Sequence, residues 1–585
     1  MSEVAGKTFD APLLVRVLKY VKPYLSIFYA TAIFAILIAF LSPLRPLLIQ
    51  HAFDNYILTP NEEKLLTITI LLVILLFIES IFQYFYTYWS NFLGQSVIKD
   101  LRLKVYKKII NFKQQYFDKN PIGALVTRVV SDIETISDIF SQGLLVIIAD
   151  VLKLIIVIVV MFVTDWRLAL FSLASIPLLL IATYWFKRSI KSAFQDVRKQ
   201  VSILNTFVQE HIVGMYVVQL FNREDIEFEK FKKINNSHKS AHVRSIWYYS
   251  VFFPIVEILS AISIGLLIWW GGIEAATTTN VTLGELIAFI LYIHMLFRPI
   301  RQLADRFNVL QMGMVASERV FKVLDIDESI DNLGKMSLDK CRGDIEFKNV
   351  WFAYNDEDWV LRDVSFKVSS GKTLALVGAT GAGKSSIINL LTRNYEINKG
   401  SILIDGINYL EYDLNSLREN IAVVLQDVFL FSDTIYNNIT IGRNISLDRV
   451  IENAKDIEID DFIKSLPNNY HYNVKERGGM LSMGQRQLIS FVRAYVNQPK
   501  ILVLDEATSS IDSESEYLIQ RSSEKLTKDR TSIVVAHRLA TIQNADTIIL
   551  FEEGKIVEKG RHQELLSKNG KYKLLYDLQF QVTQT

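Results

Sequence analysis

Six apolar stretches crowd the first half of the chain, at 25–49, 65–88, 144–164, 168–186, 247–270 and 284–300. Each is long enough to cross a bilayer core of about 30 Å. The third and fourth are separated only by TDWRLA, which predicts a tight hairpin, and His294, Arg298 and Arg301 crowd the second half of the sixth. At 96–110 and 189–218 apolar residues recur at helical spacing with few glycines or prolines, predicting membrane helices that continue far into water. Each pair turns around at a short segment, QQYFDKNPIGALVTRVVSD (114–132) and EHIVGMYVVQLFNRED (210–225). In the first, Asn120, Pro121 and Gly123 supply the turn and the returning helix starts within Thr127–Asp132. Such a tip is either a contact for another domain or a solvated hairpin end. After the sixth span an amphipathic helix continues to about residue 326. A polar stretch with Gly334 and Gly343 (327–343) then reads as a linker. From Asp344 short alternating strands (DIEFKNVWFAY, VLRDVSFKVSS, SILIDG), followed by mixed strands and helices, predict a soluble α/β domain that opens with an antiparallel subdomain. Residues 1–24 read as a basic amphipathic helix on the membrane surface, offering Arg16, Lys19 and Lys22 to headgroups. The expected units are therefore 1–24, a membrane domain at 25–326, the linker, the α/β domain at 344–580 and a tail at 581–585.

Charge orients the spans. The connection between the second and third carries Lys99, Arg102, Lys104, Lys107, Lys108, Lys113, Lys119 and Arg128, and that between the fourth and fifth is similarly basic. The first–second connection has only Lys64, and GGIEAATTTNVT has no basic residue. Positive residues stay inside, so the N-terminus, both long connections and the α/β domain are expected in the cytoplasm. With 585 residues, half of them hydrophobic, the chain holds more than one domain. A net charge of +1 gives no argument for nucleic acid. The single cysteine, Cys341, excludes an intrachain disulfide framework and cysteine-rich zinc sites, and reads as an incidental linker thiol.

Chemistry enters at GATGAGKSS (378–386), which matches G-x-x-x-x-G-K-[ST]. The apolar run Leu374–Val377 before it reads as a buried strand, and IINLLTRNY after it has helical spacing, the context that motif requires. Its residues Gly378, Ala379, Thr380, Gly381, Ala382, Gly383, Lys384, Ser385 and Ser386 would cradle phosphates with main-chain N–H groups at a helix N-terminus. Lys384 would reach the β/γ-phosphates, and the Ser385 hydroxyl would sit on Mg²⁺. Downstream, KILVLDEATSSID (500–512) delivers Asp505 and Glu506 at the end of an apolar strand. Asp505 is placed to hold Mg²⁺, and Glu506 to polarise a water toward the γ-phosphate. His537, ending the next apolar strand, could reach the same phosphate or be structural.

The second half resembles the nucleotide-binding domain of ATP-binding cassette (ABC) proteins, with motifs in matching order along 344–580. The resemblance implies that Tyr354 stacks on adenine and that Gln426, in AVVLQD, bridges Mg²⁺ and the membrane-domain contact. It implies that LSMGQ (Leu481, Ser482, Met483, Gly484, Gln485) is the signature, LSGGQ in the family. Glu476, Arg477 and Gly478 resemble the motif by which exporters contact their cytoplasmic helix tips. Ser509, Ser510, Ile511 and Asp512 resemble the loop between two nucleotide sites. The first half resembles the six-helix membrane domain of ABC exporters, with 117–132 and 214–225 as its coupling regions.

Two departures stand out. Ala379 replaces a proline often found in the loop and should be silent, since main chain holds the phosphates. Met483 replaces the first glycine of the signature pair; a side chain turned away from the nucleotide is tolerable, whereas a positive φ there would be strained.

In the family the phosphate loop of one subunit and the signature of another enclose each ATP, so the resemblance implies a half-transporter that dimerises. Both halves of a competent site are present, Glu506 included, which favours a homodimer; a heterodimer is the alternative. The implied function is ATP-driven export of amphipathic drugs or lipids from a bacterial inner membrane. An ATP-gated channel and an importer on the exporter fold are the alternatives, and the spans exclude the soluble ABC proteins. No peptidase extension is read ahead of the first span, which argues against a peptide-processing exporter. Ionisable residues in the spans, Glu79, Asp150, Lys153 and Glu257, face a cavity, a partner helix or, for the middle pair, the headgroups. Glu79 and Glu257 are the candidate substrate residues. Glu79 lies beside FQYFYTYW (82–89), which reads either as a surface for amphipathic cations or lipids or as an interfacial aromatic belt.

Overall fold

The structure is a computed structural model that describes residues 11–277, 281–330, 332, 334–355, 357–505, 513–535 and 542–580, the side chains at 301, 303, 304, 513, 514 and 578–580 excepted. Its contacts divide the chain into two units, one of residues 1–110 and 121–327, the other of 111–120 and 328–585.

The first unit is helical. Six helical rods are long and apolar enough to cross a membrane: Ala11–Ile57, Glu62–Ile109, Ile122–Thr164, Trp166–Val213, Glu224–Thr277 and Leu283–Asp325. The first contains α1 (Ala11–Leu18), a 3₁₀ stretch, α2 (Leu25–Leu41) and α3 (Leu44–Ala52). The second is α4 (Glu62–Ile109), one uninterrupted helix. Asn61 caps it by accepting from the Lys64 N–H, and Glu62, Glu63, Lys107 and Lys108 oppose its dipole at the two ends. A short α5 (Gln114–Lys119) follows and belongs by its contacts to the second unit. The third rod joins α6 (Ile122–Thr127), α7 (Ile133–Asp138) and α8 (Leu144–Thr164) through π-helical turns at Arg128–Asp132 and Ile139–Gly143. The fourth joins α9 (Trp166–Leu173), capped by Asp165, to α10 (Ile176–Val213). After α11 (Met215–Leu220) come α12 (Glu224–Thr277) and α13 (Leu283–Asp325).

One detail corrects the sequence expectation. The returning helix starts at Ile122, earlier than Thr127, and Gly123 lies inside it, so Asn120 and Pro121 make the turn without the glycine. Both residues are extended, and proline directly before a helix loses no helical hydrogen bond.

Apolar packing holds the rods together. Phe186 and Phe252 stack at 4.1 Å between α10 and α12, and the buried Tyr292 hydroxyl donates to the Pro43 carbonyl across α13 and α3. Asp54, near the C-terminal end of the first rod, accepts from the Thr282 hydroxyl (2.6 Å) and the Gly284 N–H (2.8 Å), fixing the start of α13. Val73 and Phe77 on α4 stay exposed, as side chains wetted by lipid do.

The second unit carries two sheets. The first is antiparallel, in the order β2-β1-β4-β5, from β1 (Ile345–Ala353), β2 (Trp359–Val368), β4 (Lys399–Ile404) and β5 (Ile407–Asn408). The second has the order β10-β9-β3-β8-β7-β6, from β3 (Thr373–Gly378), β6 (Ile421–Val424), β7 (Ile501–Asp505), β8 (Thr531–Val535), β9 (Thr547–Glu552) and β10 (Lys555–Gly560). In it β6, β7, β8, β3 and β9 run parallel. These strands read as unbroken apolar runs because both faces are covered. Leu374, Leu376, Ile501 and Val503 enter one core with α14 (Lys384–Leu391) and the antiparallel sheet. Ala375, Val377, Leu502 and Leu504 point the other way, into a core with α19 (Met483–Tyr495) and α20 (Ser513–Thr527). The intervening helices are α15 (Leu414–Asn420), α16 (Ile435–Thr440), α17 (Leu447–Asp456) and α18 (Asp460–Ser465).

The polar stretch 327–343 is tied down over much of its length. Ser329 bridges Phe112, a β-carbon on Gly334 would meet the Tyr412 carbonyl at 2.0 Å, and Leu338 and Cys341 are buried in the first of those cores. Burial pushes the Cys341 thiol up to about 11, so it stays protonated and inert.

Candidate functional site

Parallel strands end at one edge, and the candidate site collects there. Leu376 of β3 pairs with Val535 of β8, which pairs with Asp505 of β7; Leu504 pairs with Val424 of β6. The phosphate loop, Asp505 and the loop holding Gln426 therefore leave the sheet side by side, at the carboxyl edge where open α/β sheets bind ligands. Asp505 lies two strands from β3, about 10 Å across the sheet.

Two glycines of the loop have no substitute. A β-carbon on Gly378 would stand 2.2 Å from the Phe551 carbonyl oxygen, because β9 runs alongside. Gly383 sits at φ +101°, and its β-carbon would meet Leu361 at 2.7 Å. Lys384 follows as the first residue of α14 and is buried. Its ammonium donates to the carbonyls of Gly378 (2.8 Å) and Ala379 (2.9 Å). Burial pulls it below the ordinary lysine range, and the nearby Asp505 carboxylate pulls it back. Thr380, Gly381 and Ser385 are exposed, whereas Ala382 and Ser386 are buried. The Ser386 hydroxyl lies 3.1 Å from the Tyr354 hydroxyl, which also accepts from Asn389 at 3.2 Å. Ser386 therefore anchors the aromatic residue of β1's exit to the phosphate-loop helix. Tyr395, 4.9 Å from the Tyr354 ring and nearly perpendicular, completes the support and carries no motif that would have flagged it.

The turn between the second and third rods reaches the same place. Within the second unit, Gln115 of α5 donates to the Tyr354 carbonyl at 3.4 Å, and the Lys113 N–H to that of Glu328 at 2.9 Å.

Ser482 caps α19, accepting from the Gln485 N–H (3.2 Å) while the Gln485 side chain accepts from the Ser482 N–H (3.0 Å). This capping box leaves the serine exposed at a helix N-terminus, a favourable seat for an anion. Met483 is exposed, and among the described residues its φ is not positive; Gly484 and Leu481 are buried. Just before, Lys475 and Arg477 take positive φ, which strains the Glu476 turn, while Gly478 takes it freely. Gln426 is exposed. Glu506, Ser509, Ser510, Ile511, Asp512 and His537 lie outside the described residues.

In the membrane unit, Glu79 lines a cavity of about 900 Å³ and Glu257 does not. Glu79 pairs with Arg45 at 3.5 Å, a partner the sequence did not suggest. The aromatic run beside it is divided: Phe82, Phe85 and Trp89 pack on Phe34, Tyr84 and Tyr88 are exposed, and Gln83 and Tyr86 face the cavity. Asp150 and Lys153 line it as well.

Comparison with known proteins agrees with this anatomy. Residues 28–300 match the family described as the ABC transporter transmembrane region, and residues 361–509 the family described as ABC transporter. An uncharacterised ABC transporter ATP-binding protein of Bacillus subtilis, YknV, is 36% identical over 99% of this chain and 96% of its own. An ATP-dependent lipid A-core flippase of Syntrophus aciditrophicus is 34% identical over 97% of this chain and 94% of its own. A Bacillus subtilis protein with the provisional name multidrug export ATP-binding/permease protein YgaD is 34% identical over 96% and 99%.

Proposed function

The chain belongs to the ABC transporter family as an exporter-type half-transporter with its own ATPase domain, and on that premise we propose that it exports amphipathic molecules or lipids as a homodimer in a bacterial inner membrane. The observation that carries the dimer is the split between the two cores. Lys384 opens a helix packed on one face of the parallel sheet, and Ser482 caps a helix packed on the other. One domain therefore holds its phosphate loop and its signature on opposite sides of a rigid layer. A second copy supplies the missing half of each site, and twofold symmetry closes both at once.

Each residue then has a role. The loop N–H groups and Lys384 hold the phosphates, and Tyr354, braced by Ser386, stacks on the base. Ser482 and the N-terminus of α19 meet the γ-phosphate from the partner subunit. Ser385, Gln426 and Asp505 offer hydroxyl, amide and carboxylate oxygens, a hard donor set that suits Mg²⁺. Bound there, Mg²⁺ would offset charge on the phosphates. Glu506 orients the attacking water and His537 steadies the γ-phosphate. Gln115, bonded to the main chain of Tyr354, carries the state of the base site toward the first cytoplasmic turn. Closure of the dimer turns the membrane cavity outward and hydrolysis resets it.

The experiment is ATP hydrolysis and transport by the single purified chain in nanodiscs and oriented vesicles, screened over lipids and amphipathic drugs. Turnover by the one chain, with outward accumulation, is the expected result. Activity that appears only with a second gene product would sink the homodimer.

A further inference from the structure

The 900 Å³ cavity of the membrane unit is lined by α2, α3, α4, α8 and α13. Its charges do not balance. Arg45, Lys153, Arg298 and Arg306 line it against Glu79 and Asp150, four cations to two anions, with His294 beside them. Arg45 is paired with Glu79, and Arg306 donates to the Gln142 carbonyl (3.4 Å) and the Gln302 side-chain oxygen (3.5 Å), but among the described residues Lys153 and Arg298 have no ion-pair partner within 4.0 Å. Arg298 and Arg306 are eight residues apart on α13, about 12 Å along the helix, so positive charge extends along the cavity. Ile38, Ile49, Leu291 and Met295 supply an apolar wall beside it. Unpaired cations within membrane-spanning helices are costly unless they face water or a counter-charge. An amphipathic cation would meet this excess with repulsion.

We propose that the cavity takes the acidic headgroup of an anionic amphiphile (a phosphate, sulfate or carboxylate), seated between Lys153 and Arg298, with its tail along the apolar wall. This rests on the export reading, and it names the class of cargo. Arg306 stands as a second station for the headgroup, and the Arg45–Glu79 pair marks where the unpaired charge ends.

The test uses the full chain in phosphatidylcholine nanodiscs, with separate additions of phosphatidylglycerol, taurocholate, inorganic phosphate and dodecyltrimethylammonium. Binding and ATPase stimulation are both read. The expected result is saturable binding of phosphatidylglycerol, taurocholate or both, with no response to the cation. Which of the two responds assigns a lipid or a soluble source, and inorganic phosphate binding more weakly than either confirms that the tail contributes. Arg298→Gln and Lys153→Gln should each weaken the anionic response roughly tenfold, the scale of one charged hydrogen bond. The double variant Lys153→Glu/Arg298→Glu should transfer the response to dodecyltrimethylammonium, a gain that a merely damaged protein would not show. Preference of the native chain for the cation, or an anionic response indifferent to all three variants, overturns the proposal. Anion binding without vectorial transport would instead refute export and leave the cavity assignment standing; transport of the cation alone would do the reverse.

Discussion

The ammonium of Lys384 lies 2.8 Å from the carbonyl oxygen of Gly378, so the phosphate loop closes on its own lysine. Nucleotide must draw that ammonium from two main-chain acceptors onto its phosphates. Lys384→Ala removes the only charge in the loop, and turnover should fall roughly 10²-fold or more, with nucleotide affinity falling too. A fluorescent ATP analogue titrated onto the variant checks this; unchanged affinity would show that the main chain alone holds the phosphates.

Met483 begins α19 with its side chain exposed, and the described backbone there carries no positive φ. The family's glycine is therefore not demanded by conformation. Met483→Gly should leave turnover within roughly twofold, as surface changes usually do, while costing the helix up to about 1 kcal/mol. ATPase assay and thermal unfolding read the two effects separately. A large gain in turnover would mean that methionine obstructs the site.

Glu506 follows Asp505 in the sequence. Its replacement by Gln should preserve ATP binding and cut turnover by roughly 10² or more, the contribution of a general base. Trapped nucleotide in the purified variant, measured against released phosphate, gives both quantities. Turnover equal to the native chain's would remove Glu506 from the mechanism.

His562 lies 2.7 Å from the Tyr572 hydroxyl, and burial lowers its pKa below the ordinary value of 6.5. The unfolded chain then binds the proton more readily than the folded one, so this group's stabilisation is present above 6.5 and is lost as pH falls from there toward the folded value. Asp413, Asp433 and Asp546 are also held below the usual carboxylate range, but they act only below about 4. Thermal unfolding of the full chain at about pH 7.5 and about pH 5.5 should show a smaller acid-induced drop in His562→Phe than in the native protein. Equal drops would place the sensitivity elsewhere.

Local patterns carried most of this anatomy, and tertiary relationships did not. The six rods, the strands before Gly378 and Asp505, and the loop itself follow from runs of residues close in sequence. The capping box of Ser482 and Gln485 is equally local. The pairing of Arg45 with Glu79 joins two rods and has no sequence period to announce it. For the same reason the cavity's excess of positive charge is invisible in the spans taken singly, where Glu79 stands out as an isolated acid. Of the π-helical turns at Arg128–Asp132 and Ile139–Gly143, the first carries no glycine or proline to mark it and the second only its closing Gly143. Leu338 and Cys341 are apolar residues in a polar stretch, and only the core they enter explains them.

The placement of Lys384 and Ser482 on opposite faces of one sheet has a genetic consequence. In the proposed homodimer, a chain damaged at Lys384 and a chain damaged at Ser482 bring both lesions into the same nucleotide site. The other site then draws its loop and its signature from the two undamaged halves. Two alleles, each inactive alone, should therefore restore one whole site when expressed together, whereas putting both lesions in a single allele gives its partner nothing to complement.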